Sequence, residues 1–177
     1  MNKAEQLVKL LIEKKYTVSF AESCTGGKMA ARIVDVPDAS KVLNASIVTY
    51  ANEAKMKYAN VSKDTLKQYG AVSENTAREM AEGVAKANNA DVAAGISGIA
   101  GPTGGTEDKP VGMVCFGFYI DGKVFSDTKH FGNIGRNKWV NLKQKNVRIV
   151  KKKINRKVNK RVKSVEYVLD VLIKELS

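Results

Sequence analysis

Apolar positions recur along this chain with two different periods, and the changes of period mark its elements. Over residues 3–15, Leu7, Leu10, Leu11 and Lys14 fall at helical spacing with Ala4, Val8 and Ile12 beside them. That pattern predicts a surface helix with one apolar side. Residues 16–20 form a short apolar run, the signature of a buried strand. A short helix opening at Met29 must close near Pro37, because the residue before proline disfavours helix. Val42, Leu43, Ile47, Val48 and Tyr50 predict a second strand over 42–50, and Asn52 is the candidate cap of the helix that follows. Ser62, with Asp64 in the positive first turn, is placed to cap another. Residues 73–76 open a stronger helix with Ala77, Met80, Ala81, Val84 and Ala85 on one face, ending near Asn88 and Asn89. Three more strands are predicted over 91–97, 111–120 and 123–131, the last two joined by a hairpin turn at Asp121-Gly122. Val165, Val168, Leu169, Leu172 and Leu176 place a final helix over 164–176. Strands interleaved with helices and closed by a hairpin predict an α/β fold, a three-layer α/β/α arrangement with a mixed sheet. At 177 residues the chain reads as a single domain over 1–177.

Composition changes this picture little. The 44% hydrophobic content is that of an ordinary globular protein, and no apolar run approaches membrane-spanning length. The N-terminus enters its helix directly, without the long apolar segment of a signal peptide. Cys24 and Cys115 lie far apart and no Cys/His cluster has metal-ligand spacing. The expectation is a reduced, cytoplasmic protein with free thiols, no metal and no cofactor.

Charge changes it more. The net charge of +12 has the look of a nucleic-acid binder, but residues 136–163 hold thirteen Lys or Arg and no Asp or Glu. Without them, 17 basic residues face 18 acidic ones, so the body of the protein is nearly neutral. The basic stretch of about 136–160 looks like an insertion before the final helix. It reads as a solvated like-charge block, as an arm making phosphate contacts with nucleic acid, or as an extension of the last helix that alters assembly. The first and third readings are favoured.

Three stretches carry candidate chemistry. In 20–28, Ser23 stands where a strand passes into a helix, with Cys24, Thr25, Gly26 and Gly27 after it. A serine there can present its hydroxyl beyond the sheet edge, and backbone N–H groups near the helix start can stabilise an anion. Alone, the stretch reads better as a helix cap and a glycine turn. The second stretch, 97–106, contains Ser97, Gly98, Gly101, Gly104, Gly105 and Thr106 and connects two predicted strands. Such a loop can turn several N–H groups toward a phosphate or carboxylate. The third, 49–55, offers a candidate base in Lys55, whose default on sequence alone is an exposed helix lysine. A nucleophilic serine needs a base; the single histidine, His130, lies at the end of a predicted return strand, whereas Lys55 follows the second strand. A lysine serves as a base when burial or a neighbouring cation holds it neutral. Cys24 is a rival nucleophile, though a small buried apolar role fits it better.

These motifs occur in a telling order: Ala21-Glu22-Ser23-Cys24-Thr25-Gly26-Gly27, Val48-Thr49-Tyr50-Ala51-Asn52-Glu53-Ala54-Lys55, Gly70-Ala71-Val72-Ser73, Ser97-Gly98-Ile99-Ala100-Gly101-Pro102 and Lys109-Pro110-Val111-Gly112. Over about residues 3–132 the chain resembles the C-terminal domain of the CinA (competence/damage-inducible) family, whose stand-alone members include nicotinamide mononucleotide amidases. The chain length resembles that stand-alone form. The resemblance implies hydrolysis of the carboxamide of nicotinamide mononucleotide to nicotinate mononucleotide and ammonia, in pyridine-nucleotide recycling. It implies Ser23 as nucleophile, Lys55 as general base and Tyr50 beside them. Backbone N–H groups of Cys24 to Gly27 would form the oxyanion site, and the 97–106 loop would bind substrate. Family members commonly self-associate, so a homodimer is expected. The family's arginine near the last helix corresponds to Arg136, Arg156 or Arg161, of which Arg161 best fits the position entering the helix. A reading from another class is an inactive CinA-like module that binds nucleic acid or protein through its basic segment. A third keeps the amidase chemistry with another pyridine nucleotide or small amide.

Overall fold

The computed structural model describes residues 1–132 and 160–177. The basic segment through residue 159, with Arg136 and Arg156, lies outside the described residues. In chain order the elements are α1 (Lys3–Lys14), β1 (Val18–Glu22), α2 (Lys28–Val34), a 3-10 turn (Ala39–Lys41), β2 (Leu43–Val48), α3 (Asn52–Ala59), α4 (Lys63–Tyr69), α5 (Glu74–Ala87), β3 (Val92–Gly98), β4 (Met113–Ile120), β5 (Lys123–His130) and α6 (Lys160–Leu176). The five strands form one sheet in the order β2-β1-β3-β4-β5. β1 runs parallel to both β2 and β3, whereas β4 is antiparallel to β3 and to β5. The expected mixed sheet is present, with helices on both faces.

One face carries α1, α2 and α6. Their apolar stripes meet Val18, Phe20, Val92, Ala94, Ile96, Val114, Phe116 and Phe118 of the sheet in the larger core. The five apolar residues read from the sequence of α6 are all buried, and each large aliphatic chain so placed contributes roughly 1.5–3 kcal/mol. In α1 the buried stripe is Ala4, Leu7, Val8 and Leu11. The sequence pattern had set Leu10 and Lys14 in that stripe; they fall outside it because the helix is rotated toward its Ala4–Val8 side. The opposite face carries α3, α4 and α5 over a smaller core that includes Ala21, Ala59, Met80, Val84 and Ala93. There α5 lies directly on the sheet. Gly95 and Gly117 face each other across β3 and β4, and a methyl on either would come within 2.4 or 2.0 Å of the Ala77 carbonyl oxygen. Close backbone approach, not turn geometry, is what these two glycines provide.

Local signals mostly operate as read. Ser62 caps α4 through its hydroxyl, and α5 opens where expected, with Ser73 found as its cap. Asp121 and Gly122 both take positive φ, as a tight two-residue hairpin turn requires. Asn52 is a correction: it is the first residue of α3, the cap position is Ala51, and no side chain caps that helix. The first strand is also displaced toward its C-terminal end, so that it finishes at Glu22.

This topology creates a crevice. The chain leaves β1 for α2 on one face and leaves the adjacent parallel strand β2 for α3 on the other. Connections that diverge in this way open a gap at the strands' C-terminal ends, where open α/β sheets bind ligands.

Candidate active site

Ser23 and Lys55 meet in that crevice. Ser23 directly follows β1, and its N–H continues the sheet by donating to the Ile96 carbonyl at 2.9 Å. Thr49 directly follows β2, and its N–H donates to the Glu22 carbonyl at 2.8 Å. Lys55 lies in the first turn of α3 and points back over this edge. Its Nζ sits 3.2 Å from Ser23 Oγ and donates to the carbonyls of Thr49 at 2.8 Å and Tyr50 at 3.1 Å. Ser23 is 7% exposed and Lys55 only 1%. Burial lowers the Lys55 pKa from its ordinary value; neighbouring Cys24 acts weakly in the opposite direction. Desolvation makes the ammonium costly and favours the neutral amine. Two carbonyl partners fix two positions of the tetrahedral nitrogen and leave the next one aimed at Ser23 Oγ.

The turn after Ser23 is held from an unexpected side. The sequence reads Ser23 or Thr25 as a helix cap, but neither hydroxyl plays that role. The cap position of α2 is Gly27, at φ 87°. The first-turn N–H groups of Met29 and Ala30 instead donate to the carboxylate of Glu22, each at 3.0 Å. Among the expected oxyanion groups, the Gly26 N–H is already used, closing a turn to the Ser23 carbonyl at 3.2 Å. The N–H groups of Thr25 and Gly27 have no acceptor among the described residues. The buried Thr25 and Thr49 hydroxyls likewise have no partner among them.

Cys24 is a poor rival to Ser23. It is buried, and burial pushes its thiol up to about 12 despite nearby Arg161 and Lys55. It therefore stays a thiol at neutral pH and not the thiolate a nucleophile requires. His130 ends the edge strand β5, three strands from β1. That separation is roughly 14 Å at ~4.8 Å per strand spacing, so no Ser–His pair forms. Tyr50 contributes its carbonyl to Lys55, and the residue is 63% exposed. Arg161, in the first turn of α6, brings its guanidinium to the turn: a methyl on Gly26 would lie 3.9 Å from its Nη1.

The 97–106 loop shares the sheet edge but not the contacts of Ser23. Ser97 donates its hydroxyl to the Ala71 carbonyl at 2.6 Å, a structural tether between β3 and the turn before α5. Thr106 closes its own turn with Lys109, through N–H to carbonyl at 2.9 Å and N–H to hydroxyl at 3.1 Å. Gly101 and Gly105 pack against Val111, where a methyl would come within 2.3 and 2.7 Å of Val111 atoms, and Gly98 similarly crowds Val114. Gly104 takes a positive φ of 88°. Among the described residues, no hydrogen bond links this loop to Ser23 or Lys55. Nor do three His, Cys, Asp or Glu side chains gather there as a metal site. No described helix is long and apolar enough to cross a membrane.

A family model of the CinA C-terminal domain matches residues 1–151. The chain belongs to the CinA C-terminal domain family. It is 54% identical over 124 residues to a putative competence-damage inducible protein of Clostridium beijerinckii, a match covering 70% of this chain and 30% of that protein. It is 52% identical over 120 residues to another such protein of Alkaliphilus metalliredigens, covering 68% and 29%. The chain thus spans under a third of the length of these curated relatives. A crystal structure of a CinA superfamily protein from Enterobacter cloacae superposes with a TM-score of 0.82 at 30% identity, covering 99% of this chain and 90% of that one. One from Escherichia coli does so at 0.72 and 40% identity, covering 74% and 76%. The likeness to solved CinA superfamily folds therefore extends over nearly the whole chain, α6 included.

Glu22 is the residue whose part the sequence concealed. It was visible in the motif, but it stands six positions before α2, too far for any capping rule to flag it. Only the reversal of chain direction at Ser23–Gly27 brings its carboxylate onto the helix.

Proposed function

We propose that this CinA-family protein is a serine amidase that hydrolyses the carboxamide of nicotinamide mononucleotide, giving nicotinate mononucleotide and ammonia. The observation that carries the reading is the buried Lys55 amine, 3.2 Å from Ser23 Oγ and fixed by two carbonyls. The neutral amine accepts the Ser23 proton as Oγ attacks the amide carbon. The negative charge that develops on the amide oxygen is stabilised by N–H groups of the Cys24–Gly27 turn, where such donors act most strongly in a dry site. Lys55, now an ammonium, gives its proton to the departing nitrogen, which leaves as ammonia. Water then attacks the ester formed on Ser23, with Lys55 taking its proton and returning it to Oγ as the acid departs.

Family membership supports the substrate, and two features agree with it. The exposed residue Tyr50 offers an aromatic face to a planar heterocycle, and the Arg161 guanidinium beside Gly26 offers a phosphate partner. A module that only binds through its basic segment has no use for a desolvated lysine against a serine. The test is ammonia release from nicotinamide mononucleotide without added metal, by wild type and by Ser23→Ala. Release by wild type alone is the expected result; release by both would remove Ser23 as the nucleophile.

A further inference from the structure

Glu22 is fully buried at the last position of β1, one residue before Ser23. Its Oε2 accepts the Met29 N–H at 3.0 Å; its Oε1 accepts the Ala30 N–H and the Ser46 hydroxyl, both at 3.0 Å. One carboxylate thus ties β1 and β2 to the first turn of α2. A buried carboxylate is costly unless its oxygens are satisfied, and here three donors converge on it. A helix start of this kind would ordinarily take its cap from a serine or threonine just ahead of it. With Glu22 in that role, the hydroxyls of Ser23 and Thr25 are released from it.

We propose that Glu22 is a positioning residue of the site. By holding the first turn of α2 it fixes the Cys24–Gly27 turn, so that the N–H groups there stay directed at the developing oxyanion and Ser23 Oγ stays directed at Lys55. This rests on the hydrolytic reading above. Donors that matter only once charge develops affect the transition state and leave substrate binding alone. Disturbing Glu22 therefore lowers kcat and spares KM, whereas a purely structural brace lowers stability and leaves each folded molecule as active as before.

Glu22→Gln is the discriminating variant. In either orientation its amide offers one oxygen, so one of the two helix N–H groups must face an NH2 and lose its acceptor. Ser46→Ala removes the link to β2 and keeps both N–H bonds. Three readouts are taken on the full chain: steady-state ammonia release, amide hydrogen exchange of residues 28–31, and the rate at which a fluorophosphonate phosphonylates Ser23 with loss of fluoride. The last does not depend on the natural substrate. For Glu22→Gln the expected result is a kcat about 100-fold lower with KM within about threefold, and a labelling rate reduced to a similar degree. Exchange in the first turn of α2 should be about tenfold faster, while Ser46→Ala stays within about threefold of wild type in all three. Unchanged kcat and labelling in Glu22→Gln would overturn the proposal, as would an equal loss in Ser46→Ala. If wild type is labelled at Ser23 yet releases no ammonia, the substrate assignment fails, and the ratio of labelling rates still decides the part of Glu22. A wild type that is not labelled has no activated serine to position, which overturns the proposal too.

Discussion

Two loops leave the same edge of the sheet from parallel neighbours, and both carry a serine followed by glycines. After β1, Ser23 keeps its hydroxyl within reach of Lys55, and the helix ahead of it is capped by Glu22. After β3, Ser97 spends its hydroxyl on the Ala71 carbonyl, and Gly101 and Gly105 are required by the bulk of Val111. Residue types are alike in the two loops, but the partners differ. A serine is available for chemistry only when something else satisfies the backbone around it, and at β1 a buried carboxylate does so.

The sharpest break in that comparison is the pair of alanine variants. Ser23→Ala should lower turnover by about 10,000-fold or more, with the melting temperature within ~2 °C of wild type. Ser97→Ala should keep turnover within about tenfold and lose about 1 kcal/mol of stability, because the half-buried Ala71 carbonyl is left without its donor. Ammonia release and thermal melts measured on both check this, and equal loss of turnover would erase the distinction between the loops.

The pH dependence comes next. On the proposed mechanism turnover requires neutral Lys55, so kcat/KM should rise with pH through the lowered Lys55 pKa and level off below the ordinary lysine value of 10.5. Stability follows the same sign. Between the lowered folded pKa and 10.5 the unfolded chain holds the proton that the folded protein has released, so stability rises with pH across that window. Lys55→Met should abolish turnover and flatten that rise; urea melts of both proteins at several pH values measure it.

A smaller effect separates the two loops' glycines. Gly101→Ala meets Val111 Cγ1 at 2.3 Å with φ at +73°, and should cost about 1–3 kcal/mol. Gly27→Ala has 3.8 Å to Val48 Cγ2 and only the positive φ against it, about 1–2 kcal/mol. Denaturant melts rank the two. The smallest effect expected is that of Cys24→Ala. With the thiol protonated at neutral pH, turnover should stay within about threefold of wild type.

Much of the fold was legible in the chain because its signals are local. The 3.6-residue stripe of α6, the serine cap of α4, the opening of α5 and the Asp121-Gly122 turn each act over a few residues, and each stands where the pattern placed it. Local rules failed where a partner came from elsewhere. Asn52 looked like a cap, but the chain turned one residue earlier; Leu10 matched the helical period, but the buried stripe of α1 runs through Ala4, Leu7, Val8 and Leu11.

The candidate site divides along the same line. The sequence by itself determined that a serine follows one strand, that a lysine follows the next, and that glycines make both loops turn tightly. It also determined the family. Tertiary structure alone decided that Lys55 is buried, since its desolvation comes from packing across the sheet edge against a residue 32 positions away. It decided as well that Glu22 and not Ser23 caps α2, that Ser97 is a tether, and that Arg161 reaches Gly26. Periodicity and capping are written in neighbouring residues; a pKa and a free hydroxyl depend on what the fold brings alongside.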